Sequence, residues 1–259
     1  MIGAQRAGRV PAMIPAAIAA AWAVAIVAQV TGTARLLHHD ALIEGTLPLW
    51  AALLLFVFAW EAMIAAMMLP SVLPLVRLFA ITSAQQVSAA RAMLALIAGY
   101  AAVWTAFGVL AFLGDVTLHR LVDRTPWLAA HSWLIAGSVL LLAGAFQFTP
   151  LKDACLTKCR LPGTYLLRHY RRGATAAFRL GYGHGISCVG CCWALMLLMF
   201  AAGFATLWWM GVLTAVMVYE KAGAHGKRAV PIAGAFFVAW GLLVVAHPPW
   251  LPAVVGGAL

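Results

Sequence analysis

One charge-free stretch of sequence decides how many times this chain crosses a membrane. Residues 186–219 read ISCVGCCWALMLLMFAAGFATLWWMGVLTAVMVY, without a single Asp, Glu, Lys or Arg. A single helix over this stretch would be about 51 Å long, whereas the hydrocarbon core of a bilayer is roughly 30 Å thick. Gly203 and the pair Trp208-Trp209 offer a place for the chain to turn. The stretch therefore predicts two short spans, over 186–203 and 206–220.

The composition of the rest of the chain excludes a soluble fold. Of 259 residues, 65% are apolar and only 9% are charged, and the mean hydropathy is +0.97. Soluble domains carry about 25% charged residues. We predict an all-α fold, a polytopic transmembrane helix bundle that forms a single integral membrane domain over residues 1–259. The seven predicted spans are 10–30, 47–69, 93–114, 127–148, 186–203, 206–220 and 230–247.

The basic residues predict the orientation of these spans. With seven spans and the N-terminus inside, fourteen of the seventeen Lys and Arg residues fall on the inner side, as the positive-inside rule requires. The three outer ones are Arg35, Arg120 and Arg124. One long fifth span would also place the basic residues of segment 221–228 outside. Because the positive charges lie in short loops, they indicate orientation, and we expect no nucleic-acid partner.

The largest predicted inner loop, 150–182, is strongly basic. Its apolar and basic side chains are interleaved, which is typical of an amphipathic helix on an anionic leaflet. The interleaved residues are Tyr165, Leu166, Leu167, Tyr170 and Phe178, with Arg168, His169, Arg171, Arg172 and Arg179. The alternative is a solvated basic loop that only fixes the topology. The predicted partners of this segment are the lipid bilayer and its anionic lipids.

All five cysteines lie on the predicted inner side. Cys155 and Cys159 follow the fourth span, and Cys188, Cys191 and Cys192 open the fifth. Cytoplasmic thiols are kept reduced, so this location favours metal binding or transient redox chemistry over structural disulfides.

The segment 183–193, GHGISCVGCCW, carries the densest group of metal-ligating residues. If the helix includes His184, then His184, Cys188, Cys191 and Cys192 share one face. Alternatively, Ser187 is the N-cap, and His184 lies in a loop that folds over the same place. Thiolates beside an imidazole and thioethers favour copper(I) or zinc(II).

A carboxylate inside the second span adds a candidate ligand. Glu61 occupies an expensive position for a charge, which marks it as a functional candidate. Glu61 and Met68 share one helical face and Met67 lies on another, so Glu61 with Met67 or Met68 is the predicted membrane-side contact. For Glu220 and Lys221, at a helix end, the pattern favours an interfacial pair that reaches toward water.

Several motifs together carry a family resemblance. They are Ala65-Ala66-Met67-Met68-Leu69-Pro70-Ser71 with Pro74, Thr149-Pro150-Leu151-Lys152 with Cys155, Cys159 and Arg160, His184-Gly185 with Cys188, Gly190, Cys191, Cys192, Trp193, Leu195 and Met196, and Glu220-Lys221. Over roughly residues 50 to 221 the chain resembles a bacterial family of predicted metal-binding integral membrane proteins, a domain of unknown function. The resemblance implies a bacterial cytoplasmic (inner) membrane location and a metal site, with no reaction attached.

The leading functional hypothesis is a soft-metal-binding membrane protein that handles copper or zinc at the cytoplasmic face. It would act as a chaperone, sensor or assembly accessory, with a protein partner in metal delivery. The predicted core ligands are His184, Cys188, Cys191 and Cys192, the second arm is Cys155 and Cys159, and the membrane-side contacts are Glu61 with Met67 or Met68. No phosphate-binding loop or hydrolytic triad is present.

Two alternatives remain open at this point. A membrane thiol-disulfide oxidoreductase would use the Cys188/Cys191 pair, whose C-x-x-C spacing at a helix start suits redox chemistry, with Cys155 and Cys159 as the resolving pair. A scaffold subunit would bind partner helices without chemistry.

Overall fold

A computed structural model describes residues 12–34, 39–201 and 207–246, and their regular secondary structure is entirely helical. The helices are α1 (Met13–Thr31), α2 (His39–Glu44), α3 (Leu49–Met67), α4 (Leu69–Ser83), α5 (Ala89–Arg124), α6 (Pro126–Ala129), α7 (Trp133–Phe146), α8 (Pro150–Arg160), α9 (Pro162–His169), α10 (Ala174–Ala201), α11 (Leu207–Ala222) and α12 (Gly226–Ala246). The all-α prediction is confirmed.

Within the described ranges, five helices are long and apolar enough to cross a membrane: α1, α3, α5, α10 and α12. Helices α7 and α8 meet at an angle of 66° and count as a sixth span if they form one broken crossing. The predicted spans 186–203 and 206–220 fall on the separate helices α10 and α11, and α11 has only 16 residues. A count of seven needs α11 as well and stays a prediction. The predicted span ends at residues 10, 203, 206 and 247 lie outside the described residues.

Three segments that the sequence placed in loops are helical. Helix α4 fills part of the predicted inner loop after the second span, and α5 continues ten residues beyond its predicted end at 114. The predicted loop 150–182 contains α8, α9 and the first turns of α10. Helix α8 begins where it does because Thr149 caps it, accepting a hydrogen bond from the Lys152 backbone N–H at 3.2 Å, with Pro150 in the first turn. Membrane sidedness stays a prediction.

Helix α10 is the central helix of the bundle. Of its most apolar window, 61% is buried, against 11–33% for the other four candidate spans of the described chain. Its closest neighbour is α5, and glycines allow this approach. A Cβ at Gly99 would overlap the Phe178 carbonyl, and one at Gly181 would overlap the Leu96 carbonyl. Small residues let helix backbones pack this closely in membranes. The cysteines of α10 are therefore held in the centre of the molecule.

Candidate metal centre

Five sulfur atoms from three parts of the chain meet in the interior, and we call this group the sulfur cluster. Its members are Met68, Cys159, Cys188, Cys191 and Cys192, all buried. The Sγ atoms of Cys159 and Cys191 are 3.9 Å apart, and Cys192 Sγ lies 4.0 Å from Met68 Sδ. Cys188 joins this group through Lys221, whose Nζ lies 3.0 Å from Cys188 Sγ and 3.6 Å from Cys192 Sγ. The cysteines form no disulfide.

The backbone of α10 fixes three of these sulfurs. The helix runs through His184 without a break, so Ser187 is not its N-cap; its hydroxyl donates to the Gly183 carbonyl at 3.3 Å. The thiols of Cys191 and Cys192 both donate to the Cys188 carbonyl, at 3.1 and 2.8 Å. These bonds orient the two thiols toward the same helical face.

Helix α8 brings Cys155 and Cys159 close to the three cysteines of α10. Its Arg160 guanidinium donates to the Glu220 and Gly223 carbonyls, and so satisfies the end of α11. Earlier on α8, Cys155 lies against Gly190 of α10. A Cβ at Gly190 would come within 2.6 Å of the Cys155 sulfur. The glycine therefore leaves room for the half-buried Cys155 beside the sulfur cluster.

The second predicted span contributes the Met68 sulfur to the cluster, whereas its carboxylate, Glu61, bonds to a residue of another helix. Met68 lies at the joint between α3 and α4, where its carbonyl accepts the Ser71 hydroxyl at 2.8 Å. Met67 is buried in the apolar core. The carboxylate of Glu61 accepts a hydrogen bond from Thr105 on α5 at 2.6 Å.

His184 lies beside the cluster between two tyrosines. Its buried ring is 6.2 Å from the Tyr100 ring and 5.3 Å from the Tyr165 ring, centroid to centroid. Among the described residues, its Nδ1 atom has no hydrogen-bond partner. Burial, together with the nearby Cys159 thiol, raises the pKa of Tyr165 to about 12, so its hydroxyl stays protonated at neutral pH and donates to the Leu180 carbonyl at 3.1 Å.

Lys221 also belongs to this site, although no sequence pattern pointed to it. Its Nζ lies 3.0 Å from Cys188 Sγ, 3.6 Å from Cys192 Sγ and 3.2 Å from Ser71 Oγ. Cys188 Sγ also lies 3.1 Å from the Tyr100 hydroxyl. The expectation that Glu220 and Lys221 reach toward water is wrong, because they are only 1% and 6% exposed.

Glu220 forms a buried ion pair with Lys152, which the sequence did not indicate either. The Lys152 Nζ and Glu220 Oε2 atoms are 2.6 Å apart, and both side chains are 1% exposed. Their position in the folded chain follows from the packing of α8 on α11, which no local sequence pattern reveals. Of the two adjacent residues of α11, Glu220 is therefore paired with Lys152, and Lys221 faces the thiols.

The sulfur separations suit a soft metal ion. Two sulfurs that share a tetrahedral metal with bonds of about 2.3 Å lie about 3.8 Å apart, close to the two separations in the cluster. No three His, Cys, Asp or Glu side chains in the described parts of the chain are positioned to hold an ion together. The close sulfur contacts come as two pairs, Cys159 with Cys191 and Cys192 with Met68, and sulfur ligands suit a soft ion better than a hard one.

Comparison with known proteins agrees with this chemistry. No curated protein and no solved structure matches the chain. A family model does match, over residues 57–244, and the family is described as copper chaperone. The match covers well over half of the chain and includes every member of the sulfur cluster. The chain belongs to this copper chaperone family, PpoB2.

Proposed function

We propose that this chain is an integral protein of the bacterial inner membrane that carries copper(I) as cargo on its sulfur cluster. The observation that carries the proposal is the burial of four thiols and one thioether, with sulfur separations of 3.9 and 4.0 Å. Thiolates and thioethers select copper(I) over hard cations. The family description favours copper over zinc.

The charges around the cluster support this cargo. Metal-bound cysteines are deprotonated, so copper(I) held by two thiolates carries one net negative charge. An uncompensated charge is expensive in a buried site. The ammonium group of Lys221, 3.0 Å from Cys188 Sγ, supplies the compensating positive charge.

The remaining predicted ligands have places in this proposal. The half-buried Cys155, one turn from Cys159 on α8, is the thiol through which copper reaches or leaves the buried sulfurs at the cytoplasmic face, in exchange with a protein partner. His184 lies at the edge of the cluster as an additional nitrogen donor. Glu61 is bonded to Thr105 on α5, and in this proposal it makes no direct contact with copper.

Copper(I) binding to the reduced, detergent-purified protein tests the proposal, with a colorimetric copper(I) chelator as competitor and elemental analysis for stoichiometry. We expect near-stoichiometric copper in the wild type and none in the triple variant Cys188→Ser, Cys191→Ser, Cys192→Ser.

Met68→Leu removes one sulfur, and Lys221→Leu removes the compensating charge. Each should weaken binding by roughly tenfold or more.

Met67→Leu is the matched control for Met68→Leu, since both methionines are fully buried and adjacent. It should bind copper like the wild type. Equal copper binding by the triple variant and the wild type would overturn the proposal. Free thiols are counted in the same samples. A protein without copper whose thiols oxidise and reduce reversibly would instead be a thiol-disulfide oxidoreductase.

A further inference from the structure

A basic cleft lies between α8, α9 and the start of α10. Its volume is about 820 Å³. Five permanently cationic side chains line it: Lys158, Arg168, Arg171, Arg172 and Arg179. All five are exposed. A cleft of this volume is within the usual range for small-molecule sites.

These five charges have no counter-charge in the described structure. No carboxylate lines the cleft. The two acidic side chains nearest in sequence are used elsewhere, because Asp153 pairs with Lys227 and Glu220 pairs with Lys152. An anion in the cleft would therefore meet unpaired guanidinium groups, which bind phosphate oxygens in bidentate fashion.

The floor of the cleft is apolar. Leu161, Tyr165, Leu180 and Ile186 contribute to its lining. Ile186 is 53% exposed and Leu161 is 51% exposed, so the apolar surface continues out of the cleft. Cationic groups beside exposed aliphatic groups match an amphiphile with a negative headgroup better than a fully hydrated anion.

We propose that this cleft binds the phosphate headgroup of an anionic phospholipid, with the first part of an acyl chain along Leu161 and Ile186. Basic pockets at the cytoplasmic ends of membrane helices are suited to such headgroups. The inference rests on the proposed membrane location but not on copper binding. Sedimentation of the protein with salt-washed membranes tests that location by itself.

Binding of a fluorescent phosphatidylglycerol to the full chain in neutral detergent tests the proposal. The double variant Arg168→Gln, Arg172→Gln removes two cleft charges. The double variant Arg77→Gln, Arg91→Gln removes two exposed charges outside the cleft and is the matched control. We expect the cleft variant to bind roughly tenfold more weakly, and the control to bind within about twofold of the wild type.

Two further arms separate the sources of phosphate. Phosphatidylcholine with the same acyl chains should not compete, and inorganic phosphate should compete only at a concentration at least about a hundredfold higher. Competition by inorganic phosphate at the same concentration as the lipid would assign the cleft to a soluble phosphate and overturn the proposal. An equal loss of binding in the control variant would also overturn it, since overall charge would then explain the binding. A thermal unfolding midpoint in the same detergent that is unchanged from the wild type shows that the cleft variant is folded.

Discussion

At the level of single residues, two Lys-carboxylate pairs of the same chemistry lie in opposite environments. Lys152 and Glu220 are each 1% exposed, whereas Lys227 and Asp153, 3.1 Å apart, are 53% and 68% exposed. We expect Glu220→Gln to lower the free energy of unfolding by about 3–5 kcal/mol, because it leaves the Lys152 charge buried without a partner. Thermal unfolding of the purified protein in detergent measures this change.

Asp153→Asn is the control, since it breaks the exposed pair and should cost less than about 1 kcal/mol. A double variant, Lys152→Met with Glu220→Leu, removes both buried charges and should recover part of the stability lost in Glu220→Gln. Equal small effects of Glu220→Gln and Asp153→Asn would show that water reaches the buried pair.

The cysteines of the site could be identified from the sequence, whereas its lysines could not. Cys188, Cys191 and Cys192 were identified because their spacing places them on one helical face, and the structure does place them there. Lys152 and Lys221 were missed because a lysine at the end of an apolar helix ordinarily extends toward water. Their burial follows from contacts between helices that lie far apart in the sequence.

At the level of helices, the contact between α5 and α10 depends on glycine. We expect Gly99→Ala to destabilise the protein by about 1–3 kcal/mol or more, because the new methyl group would overlap the Phe178 backbone and force the helices apart. Gly114→Ala on the same helix meets no atom within 4 Å and should be neutral or stabilising by up to about 1 kcal/mol. Thermal unfolding of both variants in the same detergent makes the comparison.

The Gly99→Ala variant should also lose copper affinity, since α10 carries three of the cluster cysteines. A Gly99→Ala protein as stable as the Gly114→Ala protein would mean that the two helices are not in close contact. Copper binding to both variants then shows whether the position of α10 affects the cluster.

Helices that lie in uninterrupted apolar windows could be predicted from the sequence, whereas α4 could not. Apolar windows marked α1, α3, α5, α7 and α12, because twenty apolar residues in a row have few other uses. Helix α4 was missed because Pro70, Pro74 and Arg77 interrupt its apolar pattern, although a proline in the first turn is compatible with a helix. Its burial against other helices stabilises it instead.

At the level of the whole molecule, the site is assembled from residues that lie far apart in the sequence. Met68, Cys159, Cys188 and Lys221 come from four different segments, and the buried central helix α10 is the element they meet around. The sequence supported the choice of Met68, Cys159 and Cys188 but indicated neither Lys221 nor the meeting of these residues, because the segment 150–182 could equally have held the two cysteine groups apart. Helices α8 and α9, folded back against the bundle, decide that question.

In the proposed function, the side of the membrane on which α9 lies determines where the cluster would exchange copper. We predict that an epitope inserted after Arg171, in the non-helical link between α9 and α10, is cytoplasmic, and that the same epitope after Thr125, between α5 and α6, is external. In bacterial spheroplasts, antibody should reach the second epitope directly and the first only after the inner membrane is permeabilised. Both epitopes on one side would show that α7 and α8 do not form a crossing. An external Arg171 epitope would place Cys155 and the basic cleft on the oxidising side, where thiol-disulfide exchange becomes the better-supported function.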